Sequence, residues 1–226
     1  MIITIDGPSG SGKTTLAIKI AKHLNFFCLN SGYLYRGLAY VLKTAYGYNA
    51  QTIQNPDINH VTAIFQSDLF RYVYEAGLVK IYWGVEITMF LKDPEISKFA
   101  AIVGQNSEAR LVLRQYEKSL VVGKDCVIEG RACGSVIYPE ADIKFYITST
   151  QEIRALRLQQ DQLKRGKVLS LSEALGQIKM RDDMDMSRLI EPLVCPEGAT
   201  ILDSTVATTD ELLKIALHVI KQKLHR

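Results

Sequence analysis

The sequence predicts an α/β fold in which a parallel sheet is flanked by helices, and three observations predict it. A short apolar run, Ile2 to Ile5, passes through a glycine-rich turn into helical periodicity. Further short segments, Phe27 to Leu29, Cys126 to Glu129, Ile143 to Thr148 and Ala199 to Leu202, include several that are almost wholly apolar, as suits strands covered on both faces. Strand, helix and strand alternate at both ends of the chain, the pattern of βαβ units.

In chain order, the first strand leads to a helix from Lys13 to about Leu24, with Leu16, Ile20 and Leu24 on its buried face. Ser149 with Glu152, Ser170 with Glu173, and Thr208 with Glu211 each fit S/T-x-x-E, so a helix is expected just after each. The last helix is expected to bury Leu212, Leu213, Ala216, Val219 and Ile220. Between about Val73 and Leu91 the chain reads instead as short strands with turns at Ala76-Gly77 and near Gly84. Asp93-Pro94 then opens a helix, and the stretch looks like an insertion rather than core.

The 226 residues are 47% hydrophobic and 23% charged, ordinary for a soluble globular chain, and leave no room for a dominant disordered region. A net charge of +3 implies no polyelectrolyte partner, so no nucleic acid is expected. No secretion signal is read at Met1, and no run approaches the roughly 20 apolar residues needed to cross a bilayer. Cys28, Cys126, Cys133 and Cys195 show no C-x-x-C pairing and no zinc spacing, so they are read as reduced thiols of a cytoplasmic protein without a membrane partner.

Gly7-Pro8-Ser9-Gly10-Ser11-Gly12-Lys13-Thr14 satisfies G-x-x-x-x-G-K-[ST], with a strand before it and a helix after it. The glycines let the backbone curl so that successive N–H groups face phosphate oxygens, and the helix N-terminus adds partial positive charge. Lys13 is expected to reach the β- and γ-phosphates of ATP, and the Thr14 hydroxyl to ligate Mg²⁺, with Thr15 completing the nucleotide site. The motif alone leaves kinase, GTPase, motor and transporter ATPase open.

A monophosphate acceptor carries a dianion, which a second set of arginines must hold in line with the ATP γ-phosphate. Such a set is available in Arg36 of Asn30-Ser31-Gly32-Tyr33-Leu34-Tyr35-Arg36, Arg131 of Glu129-Gly130-Arg131, and Arg181 and Arg188. Arg181, Asp185 and Arg188 are spaced i, i+4 and i+7, one stripe of a helix. The same spacing also suits an exposed helix whose arginines pair with Asp182, Asp183 or Asp185 in solvent.

Taken together, these stretches resemble bacterial cytidylate kinases, which phosphorylate CMP and dCMP with ATP. The resemblance covers nearly the full length. It is carried by Ile5-Asp6-Gly7-Pro8-Ser9-Gly10-Ser11-Gly12-Lys13, Ser31-Gly32-x-x-Tyr35-Arg36, Gly130-Arg131, Arg181-Asp182-Asp183-x-Asp185-x-x-Arg188 with Pro192-Leu193, and Leu202-Asp203-Ser204-Thr205. It implies a P-loop NTPase fold in one domain, with core at about 1–35, 111–150 and 170–226, an acceptor-binding insert at about 36–110 and a small lid at about 154–169. Arg36, Arg131, Arg181 and Arg188 would surround the acceptor phosphate, Asp185 would bind the sugar, and Ser31 and Tyr35 would line the acceptor site. Lys13, Arg131, Arg181 and Arg188 would be catalytic. Arg154 and Arg157, near the start of the helix leading into Lys164-Arg165-Gly166-Lys167, resemble the lid that closes over ATP. The partner is then a small nucleotide, and a monomer is expected.

The resemblance fails at the base-reading positions. Where the family has Asp-Gly-Arg-Asp, this chain has Glu129-Gly130-Arg131-Ala132, and an alanine cannot accept a hydrogen bond from an exocyclic amine. Where the family places a further cytosine-contacting arginine, Asn106, Glu108 and Arg110 all remain candidates. Asn30 and Thr15 are milder departures. The expectation is phosphoryl transfer to a monophosphate, CMP or dCMP, with the base preference kept or relaxed. A kinase of a modified-base nucleotide or another small anionic metabolite, and a nucleotide-dependent binding module, remain the alternatives. His23, His60, His218 and His225 fall outside these motifs.

Overall fold

The computed structural model describes residues 1–224, so His225 lies outside the described residues. In chain order the elements are β1 (Ile2–Asp6), α1 (Lys13–Leu24), β2 (Phe27–Asn30), α2 (Ser31–Thr44), α3 (Ile58–Gln66), β3 (Phe70–Glu75), β4 (Leu78–Trp83) and β5 (Val85–Glu86). There follow α4 (Pro94–Val103), α5 (Ser107–Val121), β6 (Cys126–Glu129), β7 (Ile143–Thr148), α6 (Gln151–Leu163), α7 (Leu171–Met186), β8 (Thr200–Asp203) and α8 (Thr209–Leu224). A five-stranded parallel sheet runs in the order β2-β6-β1-β7-β8. Two compact units are distinguished, one comprising Met1–Phe26 with the residues from Val127 onward, the other Phe27–Cys126.

In the first unit, β1 pairs with β7 and β7 with β8, all parallel, with Ile5 opposite Phe145 and Ile147 opposite Leu202. Ile3, Ile5, Val127, Ile128, Phe145 and Ile147 are buried, as strands covered on both faces require. Strand β8 begins and ends one residue later than the sequence suggests. Helix α1 buries Leu16, Ala17 and Ile20, whereas Leu24 is only half-buried. Helix α8 buries Leu212, Ala216 and Ile220, with Leu213 and Val219 at the margin of the stripe.

Two of the three capping boxes form as read. Ser170 and Glu173 exchange hydrogen bonds at the start of α7, and Thr208 and Glu211 do so ahead of α8. The third is displaced by one residue. Thr150, not Ser149, caps α6, its hydroxyl accepting from the Ile153 amide. Ser149 is instead buried, and its carbonyl accepts from Nε of Arg154 at 3.1 Å.

The second unit packs α2 to α5 with a three-stranded antiparallel sheet, β3-β4-β5, in which Tyr72 faces Ile81. The chain turns between β3 and β4 at Ala76 and Gly77, both at positive φ, where the sequence places the turn. Asp93 caps α4, accepting from the Glu95 amide at 2.7 Å, with Pro94 in the first turn. Leu34, Leu38, Leu42, Ile64, Ile81 and Leu113 form its core. Among the described residues, no helix is long and apolar enough to cross a membrane.

Candidate active site

The loop between β1 and α1 is shaped by its glycines. Gly7 has φ +146°, and a Cβ there would stand 2.2 Å from the Ile147 carbonyl oxygen, so no other residue fits against β7. The loop is then held from outside, carbonyl by carbonyl. Ser9 O accepts from Nη1 of Arg154 at 3.2 Å, Gly10 O from Nη1 of Arg157 at 3.2 Å, and Ser11 O from the Ser204 hydroxyl at 2.9 Å. In a planar trans peptide the N–H points opposite to the C=O, so the Gly10 and Gly12 amides are turned away from these tethers, as an anionic phosphate requires, while the Ser11 amide donates to Pro8 O at 3.4 Å. Helix α1 begins at Lys13, immediately after this cradle.

Lys13 is buried, and its Nζ donates to Pro8 O across the loop at 2.7 Å. Burial, and then the Arg131 cation, lower its pKa to about 7 against the opposing pull of Glu129, Asp185 and Asp6. The Thr14 hydroxyl donates to Glu129 Oε1 at 2.6 Å. Asp6, the last residue of β1, accepts from the amides of Cys133 and Gly134 at 2.8 and 2.7 Å, fixing the turn that carries Arg131. Burial pushes the Asp6 carboxyl up from its ordinary value, against the lowering effect of those two amides and Lys13.

Helix α7 supplies the second feature. Asp185 is fully buried, and its carboxylate is gripped by three guanidiniums. Oδ2 accepts from Nε of Arg131 at 2.7 Å and from Nε of Arg181 at 3.2 Å, while Oδ1 accepts from Nη2 of Arg188. Burial would raise the Asp185 carboxyl, but Arg131, Arg181 and Arg188 hold it well below the usual carboxylate range. Other carboxylates act on the same arginines, Glu129 and Asp6 on Arg131 and Asp182 on Arg181. Arg188 is not on the helical stripe that its spacing suggests, because α7 ends at Met186 and Ser187 caps it. It reaches Asp185 from the following loop instead. The chain is held there by the Leu193 amide, which donates back to Asp185 O at 2.8 Å.

In the second unit, Asn30 caps α2 by accepting from the Tyr33 amide at 3.0 Å, the bond an aspartate would make, which accounts for the mildness of that departure. Ser31 donates to Glu117 Oε1 at 2.9 Å, and Glu117 is fully buried. Arg36 donates to Gly32 O at 2.9 Å, with its guanidinium over the Tyr33 ring. Of the three candidates on α5 and its cap, Asn106 is engaged at the helix N-terminus with the Ala109 amide and Glu108 is exposed. Arg110 is buried, donates to Gly104 O at 3.0 Å and lies over the ring of Tyr35.

The model of the cytidylate kinase family matches residues 3–222. The chain belongs to the cytidylate kinase family. A cytidylate kinase of Chlamydia felis is 34% identical over 228 residues, spanning 99% of this chain and 100% of that one. Another, of Caldanaerobacter subterraneus subsp. tengcongensis, is 31% identical across 97% of this chain and 94% of its own. Among solved structures, an uncharacterized protein from Eubacterium ventriosum aligns over 98% of both chains with a TM-score of 0.52 at 15% identity, a likeness of fold.

Within this member of the cytidylate kinase family, Gly7 to Thr14, Arg157, Arg131, Arg181, Asp185 and Arg188 all fall in the first unit, and Ser31, Tyr35 and Arg36 in the second. Thr15 is exposed on α1 and carries no described contact to the loop. Three residues support the site, of which the sequence offered only Asp182 a role, as a partner for exposed arginines. Asp6 braces the Arg131 turn, Ser204 braces the phosphate loop, and Asp182 holds Arg154. Asp6 and Ser204 both lie in stretches that carry the family resemblance, the only signal available for them.

Proposed function

We propose that this chain transfers the terminal phosphoryl group of ATP to CMP or dCMP, giving CDP or dCDP. One observation carries the reading: a phosphate loop with a buried lysine shares a compact unit with three arginines converging on one buried carboxylate, the residue type that binds phosphate by paired charge-assisted hydrogen bonds. Phosphoryl transfer needs little covalent participation by the protein, so positioning and charge stabilisation suffice. Loop amides would fix the β-phosphate, and Lys13 would neutralise charge on the transferring group. Arg131, Arg181 and Arg188 would hold the acceptor phosphate.

The Thr14 hydroxyl and the Glu129 carboxylate are hard oxygen donors 2.6 Å apart, a donor set suited to Mg²⁺, and would hold it. When bound, that ion would offset the negative charge of the phosphates. The protein would work in the cytoplasm, as a monomer without a nucleic-acid or membrane partner.

A coupled ADP-release assay over CMP, dCMP, UMP, AMP, GMP and dTMP tests the reading. Turnover greatest with CMP or dCMP is expected, and a folded, ATP-binding protein inactive with every monophosphate would overturn it. A different readout concerns the base. Ala132 is 2% exposed and offers only a methyl group, which favours a relaxed preference. Ala132→Asp is expected to raise the CMP over UMP ratio of kcat/KM by about tenfold, the scale of one hydrogen bond to a charged group. An unchanged acceptor ranking in that variant would show that the base is read elsewhere.

A further inference from the structure

Arg154 belongs, by its place in the sequence, to the region read as a lid, yet it is only 4% exposed and spends its guanidinium on the core of the first unit. Nη1 and Nη2 donate to the two oxygens of Asp182 at 2.9 and 2.7 Å, Nε donates to Ser149 O at 3.1 Å, and Nη1 also reaches Ser9 O of the phosphate loop at 3.2 Å. The fit is tight as well as polar. A Cβ on Gly10 would come within 3.2 Å of the Arg154 Cβ, so α6 lies directly against the loop. Helix α6 is in turn packed on α7 through Ala155, Ala174 and Ile178.

Asp182 and Asp185 are three residues apart on α7, hence neighbours on one face. A single helical turn therefore holds four guanidiniums: Arg154 on Asp182, which also grips the phosphate loop, and Arg131, Arg181 and Arg188 on Asp185. A buried bidentate ion pair is stiff and tolerates no half-formed state, because either partner alone would be an uncompensated buried charge. A displacement of the loop at Ser9 thus moves Arg154, Asp182 and the turn that sets Asp185.

We propose that Arg154 and Asp182 are positioning residues that couple ATP binding at the phosphate loop to the geometry of the acceptor arginines, so that nucleotide in the loop tightens acceptor binding. The inference rests on the acceptor role assigned above to Arg131, Arg181 and Arg188. Neither residue touches substrate; both act through Ser9 and Asp185.

The test is calorimetric titration of the full chain with CMP, in the presence and absence of a saturating non-hydrolysable ATP analogue with Mg²⁺. For the native protein the analogue is expected to lower the CMP Kd by about fivefold or more, within the usual range of coupling between sites. In Asp182→Asn, and in Arg154→Lys, which keeps the charge but loses the fork, the ratio is expected to fall to about one. Lys19→Ala, which breaks an exposed ion pair with Asp210, is expected to retain the native ratio. If Asp182→Asn does not fold, Arg154→Lys decides the matter alone. A native ratio of one, or a native ratio preserved in the folded variants, overturns the coupling. Native protein that binds the analogue but no CMP overturns the acceptor assignment instead.

Discussion

Lys13→Met is expected to lower kcat with every acceptor by on the order of 10³-fold and, in the same variant, to make the nucleotide-free protein more resistant to heat. The first effect follows from removing the cation that meets the transferring phosphoryl group, a group of the kind whose loss costs hundreds- to a thousandfold in turnover. The second follows from burial. The ammonium is desolvated beside the Arg131 cation, which is why its pKa falls from 10.5 to about 7. Between those values the unfolded chain binds a proton that the folded chain does not, so stability rises with pH across that window. Below about 7 the cost of burying the cation is present in full. Thermal melts of the nucleotide-free protein should therefore show a Tm that climbs from neutral to alkaline pH. Lys13→Met should lack that climb and exceed the native Tm most on the acidic side. A variant that is inactive but no more stable than the native protein at neutral pH would show that the lysine is not strained in its buried place.

Much of this site is legible in the sequence because its chemistry is local. The loop from Gly7 to Thr14 puts a run of glycines, a lysine and a hydroxyl in one continuous stretch after a strand, so its pattern is read without knowing that Ile147 and Arg154 crowd its glycines. Arg181 and Asp185 are legible for the same reason, being one helical turn apart. What the sequence misplaces depends on contacts between distant segments. Thr150 rather than Ser149 caps α6, and the buried Ser149 lies where β7 passes into that helix. Arg154 reads as a lid residue from its position, and only Asp182, 28 residues further on, turns it inward. Arg188 keeps its partner though not its helix, because the spacing rule assumes that α7 continues past Ser187. Asp6 could be seen only as part of a recurring stretch, since the amides it binds lie 127 and 128 residues away.

Asp185→Asn is expected to be the most damaging single change in the arginine cluster, lowering stability by about 3–5 kcal/mol, as when one member of a buried ion pair is removed. The native carboxylate is fully buried and takes Arg131, Arg181 and Arg188 on its two oxygens. An amide offers one acceptor oxygen and puts a donor against guanidiniums that are themselves donors only. Three cations then face one another without an anion between them. Because the carboxyl is held well below the usual range, its contribution is complete above its ordinary pKa of about 4 and is lost only on strong acidification, so the difference between native protein and variant should be flat through neutral pH. Turnover should fall with every acceptor, since the arginines no longer converge. The diagnostic observation is an anion effect: sulfate, supplying the missing charge, should raise the Tm of Asp185→Asn by more than it raises that of the native protein. An equal sulfate response in both would mean that the three guanidiniums are not held together by this carboxylate. A larger response in the variant would show that an added dianion can take the place of the Asp185 carboxylate among the three guanidiniums.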